Sequence, residues 1–366
     1  MKPPRAAFAA LVLLTLVPGW SAAADPNEEI LSGISAAKAQ AAAERAERRA
    51  QAAGGAAVAP PPQAPAAKTP KKVDLLPQFA DPSTRNQCAI GSCHAFGSVA
   101  VLEAAYFRKY KEHVSISEQD VFLRRTVLSG DVYRSFCAGG ECKMSEGNDP
   151  AGDIRYVLEN GALSGGSYTQ FAERYVKYRE GEQRTMSYLK KQYEESSWIQ
   201  KLLYDPRAHW KELSTSAEST RILGDMLQGR GSSVSTERGK LKAKLAGFTL
   251  RSKNDFGFKP EHKALPPADC LAKGAAQLAA LKGELNAARP VCVSMSLSGL
   301  PAWGQTDATR DAYHAFMIIG YDETPAGVKF HTRNSWGGTN PDVPETEACR
   351  IYVVDSVLAP GETASF

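Results

Sequence analysis

A chain of 366 residues, 43% of them apolar, is long enough to bury a substantial core, which excludes a disordered chain or a minimal disulfide scaffold. The net charge is only +4, from 44 Lys and Arg against 40 Asp and Glu, and that balance alone implies no nucleic-acid partner. Seven Cys, an odd number, suit one free thiol plus up to three disulfides in an oxidising compartment.

At the start, Lys2 and Arg5 precede an apolar run at 6–17, and Ala22-Ala23-Ala24 supplies a small-residue cleavage site. This predicts a secretory signal peptide over 1–24, and so an exported protein, periplasmic or extracellular, with a bacterial origin favoured. About a dozen apolar residues cannot cross a hydrocarbon core of roughly 30 Å, so no membrane span is expected once the signal is removed. Residues 25–72 combine a charged, Ala-rich helical stretch with a Pro/Ala-rich linker, and read as a tether rather than a packed propeptide.

The next stretch, NQCAIGSCHAFGSVAVLEAAYFRKY at 86–110, organises the chain. Phe96, Val99, Ala100, Glu103, Tyr106 and Phe107 recur at helical spacing, which predicts a helix with one buried face. Cys93 stands at its head, where unpaired N–H groups and the helix dipole favour thiolate, the form that attacks a carbonyl. His94, next to it, points about 100° away and is a poor base for Cys93; it reads as a rim residue. The run Ser115 to Asp120 carries a Ser ahead of acidic residues, an N-cap pattern. Cys137-x4-Cys142 would be half a zinc site, but no second close pair completes it, so disulfide chemistry is preferred and no metal is expected.

Downstream, RTMSYLKKQYEESSWIQKLLYD has helical spacing and GRGSSVSTERGK reads as a mobile loop. AYHAFMIIGYDE and VKFHTRNSWGG then read as strands. His314, Phe316 and Ile318 share one face, and Val328, Phe330, Thr332 and Asn334 share another; His331 and Arg333 point the opposite way, towards solvent. IYVVD supplies a last strand. A Cys at a helix head with a His and an Asn on later strands is an arrangement for acyl transfer: imidazole takes the thiol proton and the Asn carbonyl fixes its tautomer.

QCAIGSCHAF, SISEQD, HAFMIIGYD and NSWGG, in that order, resemble the papain family of cysteine peptidases over roughly 73–366. The resemblance implies an α+β, two-lobed fold, one lobe helical and the other β-barrel-like, and a peptidase needing no cofactor. By the same resemblance Cys93, His314 and Asn334 are catalytic, Gln87 completes the oxyanion site with the Cys93 N–H, and Trp336 shields the His–Asn hydrogen bond. Gly147 would contact the substrate backbone, Tyr313 and Ala312 would line the specificity pocket, and Glu146 reads as a solvated loop charge. Cys88 would pair with Cys137 or Cys142. Two departures stand out: Ile90 and His94 occupy positions where the family carries a Cys and an aromatic.

From Cys93 to His314 is 314 − 93 = 221 residues, against roughly 130–150 in compact family members, which places a largely helical insertion at about 171–259. Its 18 Lys and Arg against 11 Asp and Glu give +7, so an acidic partner or an anionic envelope polymer is a candidate there, beside a purely solvated bundle. No nucleic-acid motif accompanies the charge. The expected function is peptide-bond hydrolysis on peptide or protein substrates through a thioester acyl-enzyme. Transpeptidation or deamidation at the same site, or a non-catalytic binding protein on the same fold, are the alternatives.

Overall fold

Helix α1 (Cys93–Tyr110) is built from Ala, Val, Leu and aromatics, and every residue from His94 to Tyr106 is buried. The sequence predicts one buried face. The helix is instead enclosed all round, because short helices cover one side and a β-sheet the other, as expected of a central helix. It ends where Lys111 adopts a left-handed conformation and returns its N–H to the Phe107 carbonyl. The chain's structure, a computed structural model, describes residues 72–81, 85–127, 136–138, 141–165, 168–195, 233–252, 270, 274–307, 312–338 and 340–364. The expected signal peptide and all but the last residue of the 25–72 tether lie outside these.

On the helical side, α2 (Glu118–Phe122) starts at Ser117, whose hydroxyl accepts from the Asp120 N–H at 3.2 Å, as the N-cap pattern predicts. A third helix, α3 (Pro150–Asn160), is capped by Asp149 with Pro150 in its first turn and stops at Gly161, whose φ is +70°. The long helix α4 (Tyr168–Glu195) follows. Phe171, Ala172, Tyr175 and Met186 of α4 are buried in the helical core, so this part of the expected insertion is integral packing. Ser233–Lys244, of which 233–240 were read as part of a mobile loop, forms helix α5: its Lys, Arg and Glu are good helix formers, and Arg238 ties it to Asp120 and the Tyr156 hydroxyl.

The sheet runs β4 (Thr249–Arg251), β9 (Ile351–Leu358), β5 (Val291–Ser296), β6 (Tyr313–Thr324), β7 (Gly327–Arg333) and β8 (Val343–Pro344), with β1 (Lys72–Asp74) also pairing with β6. All these pairings are antiparallel. Side chains alternate between two cores, as strand geometry dictates. Cys292, Met317 and Ile319 join the helical core, while Val291, Val293, Phe316 and Ile318 join a second core closed by α6 (Ala275–Asn286) and Trp303. The described residues are thus α+β with a helical core on one face of the sheet and a strand-rich core on the other.

Two expectations are corrected. Arg333 is buried rather than solvent-facing, because its guanidinium lies 4.7 Å from the Phe79 ring centroid and donates to the Asp81 carbonyl. Cys88 is a free, exposed thiol, not a disulfide partner; it sits in a turn where its N–H donates to Asn86 Oδ1 at 2.8 Å. A disulfide instead joins Cys270 to Cys349, while Cys137 and Cys142 face each other across the hairpin of β2 (Phe136–Ala138) and β3 (Glu141–Lys143).

Candidate active site

Cys93 opens α1 and shares a cleft of about 280 Å³ with Gly147, Asn148, Ser294, Tyr313, His314, Ala315 and Tyr352. The thiol is half-buried and free. Burial pushes it up, while backbone hydrogen bonds from Ala315, His94 and Cys93 itself pull it back. The helix start thus lowers the thiol as expected, but loss of water outweighs it.

His314 reaches the same cleft from β6. Its Nε2 is 2.6 Å from Asn334 Oδ1, and the Ser335 N–H donates to that same oxygen at 2.7 Å. A backbone N–H can only donate, so the atom is the amide oxygen and Nε2 must carry the imidazole proton. Nδ1 is then the basic nitrogen. The Trp336 ring stacks on the imidazole with centroids 4.4 Å apart, and Trp303 and Phe316 close further sides. Burial in this aromatic cage lowers His314 to about 4, against the upward pull of Asn334. Trp303 was not picked out from the sequence; its place in a Gly-Leu-Pro-Ala-Trp-Gly turn after β5 was the available signal.

The loop carrying Gln87 is bound to the strand carrying Asn334. Gln87 N–H donates to the Ser335 carbonyl at 2.8 Å, the Ser335 hydroxyl donates to Gln87 Oε1, and Asn86 bridges Trp336. With its oxygen so fixed, the Gln87 amide turns its NH₂ towards the nucleophile loop and donates one N–H to the Ile90 carbonyl at 2.7 Å. Behind the loop, Arg85 is held by Glu103 and Glu118, a half-buried cation between two buried carboxylates. The Ile116 N–H donates to Glu103 as well.

Of the remaining expected site residues, Gly147 and Tyr313 line the cleft, whereas Ala312 packs against the strand-rich core. A Cβ on Gly147 would meet no atom within 4 Å. Tyr352, unforeseen from the sequence, forms part of the wall; burial pushes its phenol up to about 12, so it stays neutral.

Two expectations fail beside the cleft. His94 is 1% exposed and no rim residue: it turns into the helical core, with Nδ1 2.5 Å from Asp153 Oδ2 and Nε2 3.1 Å from the Glu146 carbonyl. A polar ring is tolerated there because both nitrogens find partners. Glu146 is no solvated charge either, since its carboxylate accepts from the Gly91 N–H and pairs with Arg179. Among the described residues no group of three or more His, Cys, Asp and Glu is placed to hold a metal ion.

Residues 69–216 match the family model described as papain family cysteine protease. The chain is similar to several solved structures. Xylellain, a cysteine protease from Xylella fastidiosa, is 14% identical over 80% of this chain and 87% of its own, with a TM-score of 0.45. Digestive procathepsin L 3 of Tenebrio molitor larval midgut is 13% identical over 82% of this chain and 73% of its own, with a TM-score of 0.40. The bromelain protease from Ananas comosus, solved with the E64 inhibitor, is 13% identical over 80% of this chain and 100% of its own, with a TM-score of 0.37. No curated protein matches. Residues 69–216 thus resemble the papain family of cysteine proteases, within a chain whose described residues are α+β.

Proposed function

We propose that this protein is a cysteine peptidase that hydrolyses peptide bonds with Cys93 as nucleophile, His314 as general base and acid, and Asn334 as orienting residue. The observation that carries the reading is the Nε2–H tautomer of His314, fixed by an amide oxygen that Ser335 also engages, in the same cleft as a free thiol. Nδ1 takes the thiol proton as sulfur attacks the peptide carbonyl. Burial disfavours thiolate or imidazolium alone, but proton transfer creates both at once, and their attraction offsets the cost. The Cys93 N–H and the second N–H of the Gln87 amide hold the oxyanion. Imidazolium then protonates the leaving amine, and water hydrolyses the thioester. Peptide or protein is the substrate, with Gly147 and Tyr313 along its path.

Export is part of this reading. It rests on the positive start and apolar run at the amino terminus and on the Cys270–Cys349 disulfide, which suits an oxidising compartment.

Digestion of unfolded casein, with mass spectrometry of the products, tests the function. New peptide termini that vanish in both Cys93→Ala and His314→Ala are the expected result. Ammonia release or amine capture without cleavage would replace hydrolysis by another acyl transfer at the same site.

A further inference from the structure

The loop from Cys88 to Ser92 carries the approach to the nucleophile and lacks a disulfide, since Cys88 is free and Ile90 cannot form one. Its fixation comes instead from Glu146 and Arg179. Glu146 Oε2 accepts from the Gly91 N–H at 2.6 Å. Arg179 Nη1 donates to both Glu146 oxygens, at 2.9 and 3.1 Å, and to the Ala89 carbonyl at 2.8 Å. Glu146 is 10% and Arg179 18% exposed at the side chain, so the pair is shielded enough for its charge to matter.

We propose that Glu146 and Arg179 are positioning residues that clasp the nucleophile loop to the Glu146–Gly147 edge of the cleft, and that the inserted helix α4 thereby sets the oxyanion geometry. Three observations bear on it. Phe171, Tyr175 and Arg179 lie four residues apart on one face of α4; the first two rings pack on Phe122, which seats the third residue at the loop. A Cβ on Gly91 would come within 2.9 Å of Glu146 Cβ, so the approach is as close as glycine permits. From the core side, His94 Nε2 donates to the Glu146 carbonyl while Asp153 holds Nδ1. The residue after the nucleophile thus fixes the backbone of the same clasp.

The catalytic consequence rests on the peptidase reading; the clasp itself does not. The test compares full-length wild type with Glu146→Ala, Arg179→Ala and Glu146→Gln. Amide exchange over 88–92 is expected to quicken about tenfold in both Ala variants and to stay near wild type in Glu146→Gln, which keeps an acceptor for Gly91. On a peptide substrate kcat should fall about tenfold or more with KM nearly unchanged, because a small displacement of the oxyanion donors acts on the transition state. Iodoacetamide labelling of Cys93, which forms no oxyanion, should stay within about twofold of wild type. Unchanged exchange in either Ala variant would overturn the clasp, and faster exchange with unchanged kcat would overturn its positioning role. If wild type cleaves no peptide, the peptidase reading fails, and the exchange data still decide the clasp.

Discussion

The two walls of the cleft are held in place by different physics. On the His314 side a hydrogen-bonded strand ladder fixes the backbone, and Trp303, Phe316 and Trp336 exclude water around one imidazole and one amide. On the Cys93 side the loop is irregular, and polar side chains hold it: Arg85 with two glutamates beneath, Glu146 and Arg179 beside. A ladder and an apolar cage persist over a wide range of pH and salt. A loop held by charges depends on each partner, so variants on the two sides should fail differently.

The largest effect is common to both walls. Cys93→Ala should reduce cleavage about 10⁴-fold or more, with the fold intact, as checked by casein digestion and far-UV circular dichroism. Next, Arg85→Met should destabilise the protein by about 3 kcal/mol in urea unfolding, because two buried carboxylates lose their cation. Burial already raises Glu103 to about 7 despite Arg85. The loss should therefore be greater at pH 8, where the Glu103 carboxyl must be charged or pay to protonate, than at pH 5. An equal loss at both pH values would contradict the account of this wall.

On the other wall the pH signature concerns His314. Burial lowers it from 6.5 to about 4, so imidazole stays neutral down to that pH and the acid limb of kcat/KM should fall near pH 4. Trp336→Ala admits water and should move that limb up towards 6.5, with kcat reduced about tenfold. The same shift makes stability fall with acid. The unfolded His binds a proton below about 6.5 and the native one does not until about 4, so the native state loses ground across that window. The smallest effect is expected of Gly147→Val, where the new Cβ has open space beside the cleft: KM should rise several-fold and the melting temperature should not move.

The same contrast explains what was legible in the sequence. His314 and Asn334 lie in two contiguous strand motifs and Cys93 heads a helix whose spacing is plain, so local pattern was enough to single them out, whereas Trp336 was read from the resemblance to the papain family. Arg85, Glu103 and Glu118, or Glu146, Gly91 and Arg179, meet only through tertiary packing, and Arg85, Glu118, Glu146 and Arg179 each alone look like ordinary surface charges. That is why Glu146 reads as solvated and His94 as a rim residue, though His94 is buried and the half-buried Glu146 is held by partners. The strand pair was readable from periodicity, whereas the α+β class rested on the resemblance to the papain family. Full enclosure of α1 was not, because a helix buried on every side loses the amphipathic pattern that would announce it. Helix α5 was hidden by Gly and Ser residues at its start, which mimic a loop.

The most direct test of the account is the rate at which iodoacetamide labels Cys93 at pH 6, compared between wild type and His314→Ala, with mass spectrometry locating the label. If His314 Nδ1 takes the thiol proton, wild type should react at least about tenfold faster, and the variant should follow an ordinary or raised thiol near 8.5 or above. Equal rates at pH 6 would mean that the imidazole does not activate Cys93, and the proposed nucleophile–base pair would be wrong.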